Sequence, residues 1–551
     1  MSSIYGLMQD RPLLISQFLT YAETYHGGRE IVSRDGEGNE FRYDYRQAAR
    51  RARQLAKALI RLGIKSGDRV ATLAASHHRH FEMFYGVSGF GAVLHTVNPR
   101  LHDDQIVYIC EHAEDRILFL DPEFLPLVAR IAPRLTCIEH FVLLGGSDEI
   151  PADCPLPLND YESMLACFDD DFAWPDFDER TASSLCYTSG TTGNPKGVLY
   201  SHRSTSLHAF AVCQNAAMGL SCLDALMPIA PMYHANAWSL PYLGPMLGAK
   251  LVLPGRRLDA ESLHGLIERE QVSFCAAVPT IFISLLDYLE RSGKRIDSLR
   301  KATIGGTAVP PDMIKLLRDK YGCFVAQVWG MTELSPLGTM TTLTHAVASL
   351  PEPDRLRFLA LQGRVQFGLE IKLLDDAGQR VAHDGTTPGA MWVRGPWAAA
   401  GYFKNEGGPV LDGDGWMPTG DVGTINPEGY LRITDRMKDM IKSGGEWISS
   451  VDLENAAYAL PEVRLAAAVA VHHPRWDERP LLVLQLHPGA SLDKETVRHQ
   501  LAGRFAKWWL PDDVVFIDDM PMTATGKIRK ADLRSRFADH LSHAGLIETA
   551  G

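Results

Sequence analysis

Residues 187–197, with the sequence YTSGTTGNPKG, combine the residue types that bind phosphate. Four Ser and Thr side chains, three glycines and one lysine lie between an apolar strand and a predicted helix. Glycines let backbone N–H groups converge on an anion, the hydroxyls add donors, and Lys196 adds a positive charge. A flexible surface turn of the same composition is the structural alternative. Neither G-x-x-x-x-G-K-[ST] nor G-x-G-x-x-G occurs, so a different kind of phosphate loop is predicted.

These eleven residues resemble the signature of the adenylate-forming superfamily, which contains acyl-CoA synthetases, firefly-type luciferases and peptide-synthetase adenylation domains. The resemblance implies an enzyme that activates a carboxylic acid with ATP, and it extends over nearly the whole chain. It assigns ATP contacts in the loop to Thr188, Ser189, Gly190, Thr191, Thr192, Gly193 and Lys196.

Two further segments resemble the walls of the family's substrate site. Residues 231–238, PMYHANAW, are similar to the aromatic–His segment that lines the acyl pocket, which implies roles for His234 and Trp238. Residues 305–308, GGTA, resemble the turn that contacts adenine through Gly306 and Thr307 and the acyl group through Gly305. A core histidine and a plain tight turn are the structural alternatives.

Residues 329–333, WGMTE, resemble the family's aromatic-Gly-x-Thr-Glu motif. The resemblance implies ATP contacts from Trp329, Gly330, Thr332 and Glu333, and it makes Glu333 a magnesium ligand together with Thr188. Mg²⁺ prefers hard oxygen ligands, usually one or two carboxylates plus nucleotide phosphates, so this chemistry is reasonable. A solvated surface glutamate is the alternative. Trp329 replaces a tyrosine that many relatives have and keeps a surface on which adenine stacks.

Three later motifs complete the nucleotide site that the resemblance implies. Asp421 of T-G-D and Arg436 of D-R-M-K match the residues that hold the ribose, and Lys438 matches the hinge. Lys527, in P-M-T-A-T-G-K-I, matches the lysine that contacts the substrate carboxylate and the α-phosphate. Taken alone, each would be an ordinary turn or surface residue.

Adenylation gathers negative charge into a small volume, because a carboxylate attacks the α-phosphorus of ATP while pyrophosphate leaves. Lys527, Lys196 and Mg²⁺ supply the opposing charge, and fixed cations in a water-poor cleft stabilise such a transition state. Glu333 and His234 complete the predicted catalytic set. In the second step the acyl group passes to coenzyme A, and family knowledge implies that the small domain first rotates about Lys438.

Residues 442–449, KSGGEWIS, resemble the loop that joins the site for this second step. Gly444, Gly445, Glu446 and Trp447 are its predicted tunnel residues. Trp447 and Trp238 resemble the paired tryptophans of fatty acyl-CoA synthetases, and apolar walls favour an apolar substrate. With W-D-E-R-P at 476–480, the pattern is closest to medium-chain fatty acyl-CoA ligases, with methylmercaptopropionate-CoA ligases as the runner-up. Core packing is the alternative for both tryptophans.

The elements that must position these residues alternate between strand and helix. Strands are predicted at 70–75, 92–97, 117–120, 184–187, 226–229, 251–253, 272–278 and 324–328, with helices between them. The fold class is α/β: a large N-terminal domain, 1–437, has two doubly wound α/β units, the second beginning at 184–187, and a small β-barrel-like unit. A smaller, mobile α+β domain covers 438–551, and the charged residues 435–439 are the predicted linker.

The composition of the chain limits which partners and which cellular compartment are expected. The 551 residues carry 55 basic and 67 acidic side chains, for a formal net charge of −12, which argues against a nucleic-acid partner. The nine cysteines lack C-x-x-C spacing and favour a reduced, cytoplasmic compartment. The N-terminus does not resemble a signal peptide, and the longest apolar stretch, 84–97, is too short to span a bilayer. A homodimer is expected only by analogy with related fatty acyl-CoA synthetases.

Other enzyme classes find less support. There is no G-x-S-x-G elbow and no H-E-x-x-H, and the histidines of 77–80 and 472–473 are predicted to be solvated or capping groups. Two alternatives remain. One is an adenylating enzyme that loads a carrier protein in place of coenzyme A, and the other, from a different class, is a noncatalytic ATP- or acyl-binding sensor built on the same scaffold. The hypothesis taken forward is an ATP-dependent fatty acid–CoA ligase.

Overall fold

A computed structural model describes residues 6–35, 38–188, 194–443, 446–523 and 527–541, without the side chains of Glu446 and Trp447. The chain forms two compact units. The first consists of the described residues of Met1–Ala276, Met331–Pro336 and Pro396–Pro409, and the second of those of Ala277–Gly330, Leu337–Gly395 and Val410–Gly551. Seven of the predicted site residues lie outside the described residues: Ser189, Gly190, Thr191, Thr192, Gly193, Gly444 and Gly445.

The first unit alternates helices and strands. Its helices are α1 Ser16–His26, α2 Tyr45–Arg61, α3 His78–Gly86, α4 Asp103–Ala113, α5 Leu125–Ile131, α6 Tyr161–Ala166, α7 His202–Val212, α8 Leu240–Leu247 and α9 Ala260–Glu270. Its strands are β1 Glu30–Arg34, β2 Glu40–Asp44, β3 Arg69–Leu73, β4 Val93–Thr96, β5 Asp115–Leu120, β6 His140–Leu143, β7 Leu158–Asp160, β8 Ala182–Tyr187, β9 Gly197–Ser201, β10 Ala225–Pro228, β11 Lys250–Leu253 and β12 Phe274–Ala277.

Helix α2 shows how local sequence defines an element of this unit. Asp44 caps its first turn by accepting the backbone N–H of Gln47 at 2.9 Å, and the Gln47 side chain accepts the N–H of Asp44 at 3.0 Å. This reciprocal pair satisfies two N–H groups that a helix start leaves unbonded. The buried side chains Ala48, Ala52, Leu55 and Leu59 recur at the spacing of one helix face.

The first unit contains a seven-stranded sheet in the order β7-β6-β5-β3-β4-β8-β9. All neighbouring strands are parallel except β8 and β9. From β3 the chain moves one way to β4 and then the other way to β5, β6 and β7, which is the reversal of a doubly wound sheet. A second group runs β12-β10-β11-β1-β2, in which only β1 and β2 are antiparallel.

The second unit begins with α/β elements and ends with smaller sheets. Its helices are α10 Pro279–Ser292, α11 Pro311–Tyr321, α12 His345–Ala348, α13 Glu352–Leu359, α14 Ser450–Ala457, α15 Lys494–Ala502 and α16 Lys530–Arg536. Its strands are β13 Lys301–Gly305, β14 Phe324–Gly330, β15 Leu337–Met340, β16 Arg364–Val365, β17 Glu370–Leu374, β18 Gly389–Arg394, β19 Met417–Ile425, β20 Leu431–Arg436, β21 Ile441–Ser443, β22 Glu446–Ile448, β23 Val463–His473, β24 Asp477–Leu486 and β25 Asp513–Phe516.

Three sheets organise the second unit. Strands β13 and β14 pair in parallel, and β15 and β16 add antiparallel strands beside β14. Strands β17 to β20 form a four-stranded antiparallel sheet in chain order. The C-terminal sheet has the order β22-β21-β24-β23, with β25 parallel to β24, and α14 and α15 pack on it around Ile441, Ile448 and Leu482. The predicted α/β class, with a large N-terminal and a smaller C-terminal α+β part, is confirmed.

The element predictions hold with three corrections. The segment predicted to start the second α/β unit, 184–187, belongs as β8 to the first sheet, because it pairs in parallel with β4 through Leu94↔Ser184. The phosphate loop leads into strand β9 and not directly into a helix. The predicted linker 435–439 begins inside β20, where Asp435 is buried and accepts the N–H of Ser450 at 2.6 Å. A charged residue followed by a charged run does not by itself indicate exposure.

The prediction that the histidines of residues 77–80 are solvated or capping groups is only partly right. His77 does cap α3, as predicted, by accepting the backbone N–H of His80. However, His77, His78 and His80 are all buried, because α3 packs its first turn into the sheet and their ring nitrogens bond to Asp121, Ser33 and Thr72. None of the helices in the described ranges is long and apolar enough to cross a membrane.

Candidate active site

A hairpin holds the two ends of the predicted phosphate loop. Strands β8 and β9 pair antiparallel up to Tyr187↔Gly197. Beyond that pair the N–H of Thr188 donates to the carbonyl of Lys196 at 2.9 Å, and the N–H of Lys196 donates to the Thr188 hydroxyl at 3.3 Å. Both residues therefore face each other at the mouth of the loop.

Tyr402 connects Lys196 with Glu333 in the first unit. The Tyr402 hydroxyl donates to Glu333 Oε1 at 2.6 Å, and Lys196 Nζ lies 4.9 Å from the centre of the Tyr402 ring. Glu333 is only 7% exposed, and its carbonyl accepts the N–H of Ala399 at 2.8 Å. Burial, with the adjacent Glu333 carboxylate, raises the pKa of Tyr402, so its hydroxyl stays a donor.

Trp238 lies in a backbone segment of unusual conformation. Five consecutive residues, Ala235–Ser239, have φ values between 43° and 69°, a region that non-glycine residues seldom adopt. Buried polar contacts fix this turn: the Asn236 amide donates to Ser184 Oγ at 2.9 Å, and Ser239 Oγ lies 2.8 Å from His208 Nδ1. Trp238 is buried, whereas His234, just before the turn, is half-buried.

The second unit gathers a separate group of predicted nucleotide residues. Trp329 Nε1 donates to Asp421 Oδ2 at 2.7 Å, and Arg436 Nε lies 3.2 Å from Asp421 Oδ1. Asp421 is 4% exposed, so both contacts are shielded from water on the carboxylate side. The C-terminal end of β14 and the strand pair β19–β20 bring these three residues together from separate sequence positions.

Lys527 belongs to this second group. Gly306 has a φ of +94°, and a Cβ built on it would lie 3.1 Å from Lys527 Cε, so the lysine side chain runs against the backbone of the turn after β13. Burial, with the positive charges of Arg436 and Lys438, lowers the pKa of Lys527 to about 8, and Asp421 partly opposes this. The Lys527 side chain therefore gains and loses its proton at a pH not far above neutral.

Gly305 has a simpler explanation than substrate approach. A Cβ at this position would lie 2.4 Å from Val328 Cγ2 on the neighbouring strand β14, so packing between the strands already requires glycine. Thr307, two residues later, is exposed.

Ion pairs hold the chain in place on both sides of the predicted hinge, Lys438. Lys438 itself is exposed. On its N-terminal side Arg432 pairs with Asp452 at 2.6 Å, and on its C-terminal side Asp439 pairs with Arg534 at 2.6 Å. Beyond the hinge, β21 and β22 form a hairpin with the register Lys442↔Trp447 and Ser443↔Glu446.

Two comparisons place the chain in a family. A family model described as "AMP-binding enzyme" matches residues 18–403, and one described as "AMP-binding enzyme C-terminal domain" matches residues 452–527. The chain is 48% identical over 537 residues to the 3-methylmercaptopropionyl-CoA ligase of Ruegeria lacuscaerulensis, with 98% of this chain and 99% of that protein covered.

The chain belongs to the AMP-binding enzyme family. This confirms the adenylate-forming superfamily that the phosphate loop predicted. Another similar AMP-binding enzyme, the medium-chain-fatty-acid–CoA ligase of Ectopseudomonas oleovorans, is 45% identical over 538 residues, which cover 97% of this chain and 98% of that protein. The crystal structure of the anthranilate CoA ligase AuaEII in complex with anthranoyl-AMP has the same fold, with a TM-score of 0.85 at 24% identity over 96% of this chain and 99% of that chain.

For this AMP-binding enzyme the structure groups the predicted residues in two sets. Thr188, Lys196 and Glu333 lie in the first unit with His234 and Trp238, and Gly306, Trp329, Asp421, Arg436 and Lys527 lie in the second. The motif 329–333 contributes to both sets, because Trp329 and Gly330 belong to the second unit and Thr332 and Glu333 to the first. The individual roles stay predictions.

Sequence reasoning missed Tyr402. This tyrosine contacts Glu333 across 69 residues of chain, and no spacing in the sequence links the two. The residues around it gave one usable signal: two aromatic residues, Tyr402 and Phe403, stand between the Gly/Ala-rich stretch 398–401 and the polar residues 404–406. Apolar packing against Cys186, Val198 and Tyr200 of β8 and β9 then places Tyr402 beside the phosphate loop hairpin.

Proposed function

We propose that this protein is an AMP-forming acyl-CoA ligase. It converts a carboxylic acid and ATP to an acyl-adenylate and pyrophosphate, and then converts the adenylate and coenzyme A to acyl-CoA and AMP. The observation that carries the proposal is the half-buried Lys527, whose side chain lies along Gly306 and whose charge is coupled to Asp421 and Arg436. A cation held partly out of water beside a carboxylate has little use in a plain structural domain, because removing a charge from water is costly.

In the first half-reaction each set of residues has a separate task. Asp421 accepts hydrogen bonds from the ribose hydroxyls, while Trp329, held by its Nε1–H bond to Asp421, offers a flat face to adenine. Lys527 holds the acid's carboxylate and the α-phosphate together as the oxygen–phosphorus bond forms. Lys196 neutralises the phosphates of the departing pyrophosphate. Fixed cations stabilise this charge without reorganising at the moment of reaction.

The residues of the first unit fit a magnesium ion. Within the described part of the chain, the Glu333 carboxylate bonds to the Tyr402 hydroxyl and has no cationic partner, so its second oxygen and charge are available. The Thr188 hydroxyl is a second hard oxygen donor of the kind that Mg²⁺ prefers. A bound Mg²⁺ supplies charge that neutralises the polyphosphate. Glu333 and Thr188 would hold it.

The identity of the substrate acid is assigned chiefly from similarity to other enzymes. We assign a medium-chain fatty acid, because Trp238 and Trp447 resemble the paired tryptophans of fatty acyl-CoA synthetases and because the Ectopseudomonas oleovorans relative is 45% identical. The second candidate is 3-methylmercaptopropionate, and the 48% identity to the Ruegeria lacuscaerulensis enzyme favours it. Both acids carry an unbranched chain that an apolar pocket accepts.

Thioester formation across a series of acids tests the function. The purified protein, ATP and coenzyme A are incubated with straight-chain acids of increasing length, 3-methylmercaptopropionate and aromatic acids. We expect the highest kcat/KM with medium-chain fatty acids, and a maximum at 3-methylmercaptopropionate supports the second candidate. ATP–pyrophosphate exchange without thioester formation would instead indicate a carrier-protein acceptor, and no exchange with any acid would indicate a sensor.

The proposal also covers location and assembly. We place the protein in the cytoplasm because its nine cysteines, all free, suit a reducing compartment. We propose a homodimer by analogy with related fatty acyl-CoA synthetases. Light scattering coupled to size-exclusion chromatography measures the mass directly.

The lowered pKa of Lys527 predicts a pH profile for the first half-reaction. The ammonium form is the active form, and the pKa lies near 8, below the ordinary value of 10.5. The value of kcat/KM for ATP reports the free enzyme, so it should fall above pH about 8, approaching tenfold per pH unit. Pyrophosphate exchange measured between pH 6.5 and 10 tests this. A flat profile up to pH 10 contradicts the assignment, whereas Lys527→Arg should remove the decline.

Tyr402→Phe should weaken the effect of Mg²⁺ on ATP binding. The variant keeps the ring beside Lys196 and loses the hydroxyl that orients Glu333. Calorimetry of ATP binding without acid or coenzyme A should show unchanged affinity in EDTA and about tenfold weaker affinity than the parent with Mg²⁺, the size of a lost hydrogen bond to a charged group. Tyr45→Phe, which loses an equally short 2.6 Å bond to the Ala249 carbonyl, is the control. Equal losses in EDTA and in Mg²⁺ would contradict the orienting role.

A further inference from the structure

The segment Trp476–Pro480, W-D-E-R-P, is attached to the β21–β22 hairpin. Asp477 begins β24 and pairs with Ser443, the last residue of β21, on one side and with His473 of β23 on the other. Strand β24 therefore lies between β21 and β23, and the residues that follow Asp477 reach the hairpin. The sequence motif that suggested a substrate class has a contact role in the fold.

Arg479 makes the most extensive of these contacts. Its guanidinium donates from Nη1 to Ser443 Oγ at 2.9 Å and to the Trp508 carbonyl at 2.6 Å, and from Nη2 to the Leu510 carbonyl at 2.9 Å. Nε and Nη2 also reach Asp512 Oδ1, at 2.7 and 2.6 Å. With 8% exposure, the side chain makes four hydrogen bonds and an ion pair inside the protein.

Glu478 adds a second point of attachment. Its Oε2 accepts the backbone N–H of Lys442 at 2.8 Å. Glu478 and Arg479 therefore hold two consecutive residues, Lys442 by its backbone and Ser443 by its hydroxyl. These are the last two residues of β21, and their partners across the hairpin are Trp447 and Glu446.

Apolar packing, and not polar contacts, holds the base of the hairpin. Ile441 and Ile448 face each other at the open end, and both are fully buried in the apolar core of the C-terminal sheet. That core anchors the hairpin whether or not Arg479 is present. The polar contacts act one and two residues further along, at Lys442 and Ser443, so they control the direction of the hairpin more than its attachment.

From this geometry we propose that Arg479, assisted by Glu478, is a positioning residue that aims the β21–β22 hairpin during thioester formation. The inference rests on the proposed function, in which residues 442–449 serve the second half-reaction. Adenylation does not use this hairpin, so the two half-reactions separate the effect. Small misplacements of a positioning group are enough to slow a reaction by about a hundredfold.

Lysine cannot replace arginine here. The five donors of a guanidinium lie in one plane and here reach both Ser443 and residues 508–512 at fixed angles, whereas an ammonium has three donors around one atom. Arg479→Lys keeps the charge that faces Asp512 and loses the bridge between Asp512 and Ser443. Ser443→Ala is the narrower change, because it removes only the acceptor on the hairpin and leaves the other Arg479 bonds in place.

Separate assays of the two half-reactions test the proposal. In Arg479→Lys, pyrophosphate exchange should stay within about twofold of the parent, and acyl-CoA formation from preformed acyl-AMP should fall about tenfold or more. Ser443→Ala should lower the same step, by a smaller factor, with an unchanged melting temperature. The control is Arg498→Lys: Arg498 Nη1 donates to the Asp512 carbonyl at 3.2 Å and does not touch the hairpin. It should change neither half-reaction.

The outcomes distinguish this proposal from the function on which it rests. Equal losses in both half-reactions of Arg479→Lys, or full thioester activity in both Arg479→Lys and Ser443→Ala, would overturn the positioning role and leave the ligase assignment intact. A parent protein that exchanges pyrophosphate and forms no thioester with coenzyme A would overturn both. A selective loss in Ser443→Ala supports the proposal even where Arg479→Lys fails to fold.

Discussion

Lys527→Ala should lower ATP–pyrophosphate exchange by a factor on the order of 10²–10³ or more while leaving thioester formation from preformed acyl-AMP largely intact. The half-buried lysine side chain lies against Gly306, and its charge interacts with Asp421 and Arg436. Removing it takes away the cation that, in the proposed mechanism, the attacking carboxylate and the α-phosphate share. The second half-reaction starts after that step and does not use this charge.

Two assays on one preparation measure this difference. Exchange of labelled pyrophosphate into ATP reports the first half-reaction, and release of acyl-CoA from synthetic acyl-AMP reports the second. Lys494→Ala is the matched control, because Lys494 is a half-exposed lysine of the same C-terminal region that pairs with Asp513 at the surface. Retained exchange in Lys527→Ala would remove Lys527 from the catalytic set, and loss of both activities would indicate damage to the fold.

Asp421→Ala should lower kcat/KM for ATP by about two orders of magnitude, chiefly through KM. The buried carboxylate accepts the indole N–H of Trp329 at 2.7 Å and pairs with Arg436 at 3.2 Å. Its loss removes the proposed ribose acceptor, leaves a buried N–H without a partner and releases the arginine. An unpaired buried donor costs roughly 1–3 kcal/mol, and this adds to the lost ligand contacts.

A second substitution separates binding from folding at this position. Asp421→Asn keeps an oxygen that accepts the Trp329 N–H and loses the charge that faces Arg436, so it should fold like the parent and still bind ATP more weakly. Glu370→Ala is the control, since Glu370 forms an exposed pair with Arg394 on the same four-stranded sheet. Calorimetric titration with ATP gives the affinities. Parental affinity in Asp421→Ala would exclude a nucleotide contact.

The sequence predicted the kind of chemistry from short contiguous segments. The loop at 187–197 and the motifs at 329–333, 419–421 and 521–528 each carry their residues within a few positions, so residue type and spacing are visible without a structure. Helices were also predicted between the strands, where α9 and α11 lie, because apolar periodicity is a local property too.

The sequence did not correctly predict which strands pair and which side chains meet across the sheets. Strand β8 was assigned to the wrong α/β unit, because its apolar residues suit either sheet and only the pairing with β4 decides between them. Asp435 was taken for a linker residue, since a charge in a charged run is usually solvated, yet it is buried and bonded to Ser450. Local patterns predict an element and do not predict its neighbour.

The sequence by itself therefore predicted the AMP-binding enzyme family, which the comparisons confirm, and it singled out the side chains to which we assign the chemistry. Only the tertiary structure decided that Tyr402 bonds to Glu333, that burial brings the pKa of Lys527 to about 8, and that Arg479 holds the hairpin of Ser443. The physical reason is common to all three. Hydrogen-bond partners and the dielectric around a charge are set by residues distant in sequence, and these meet only when the chain has folded.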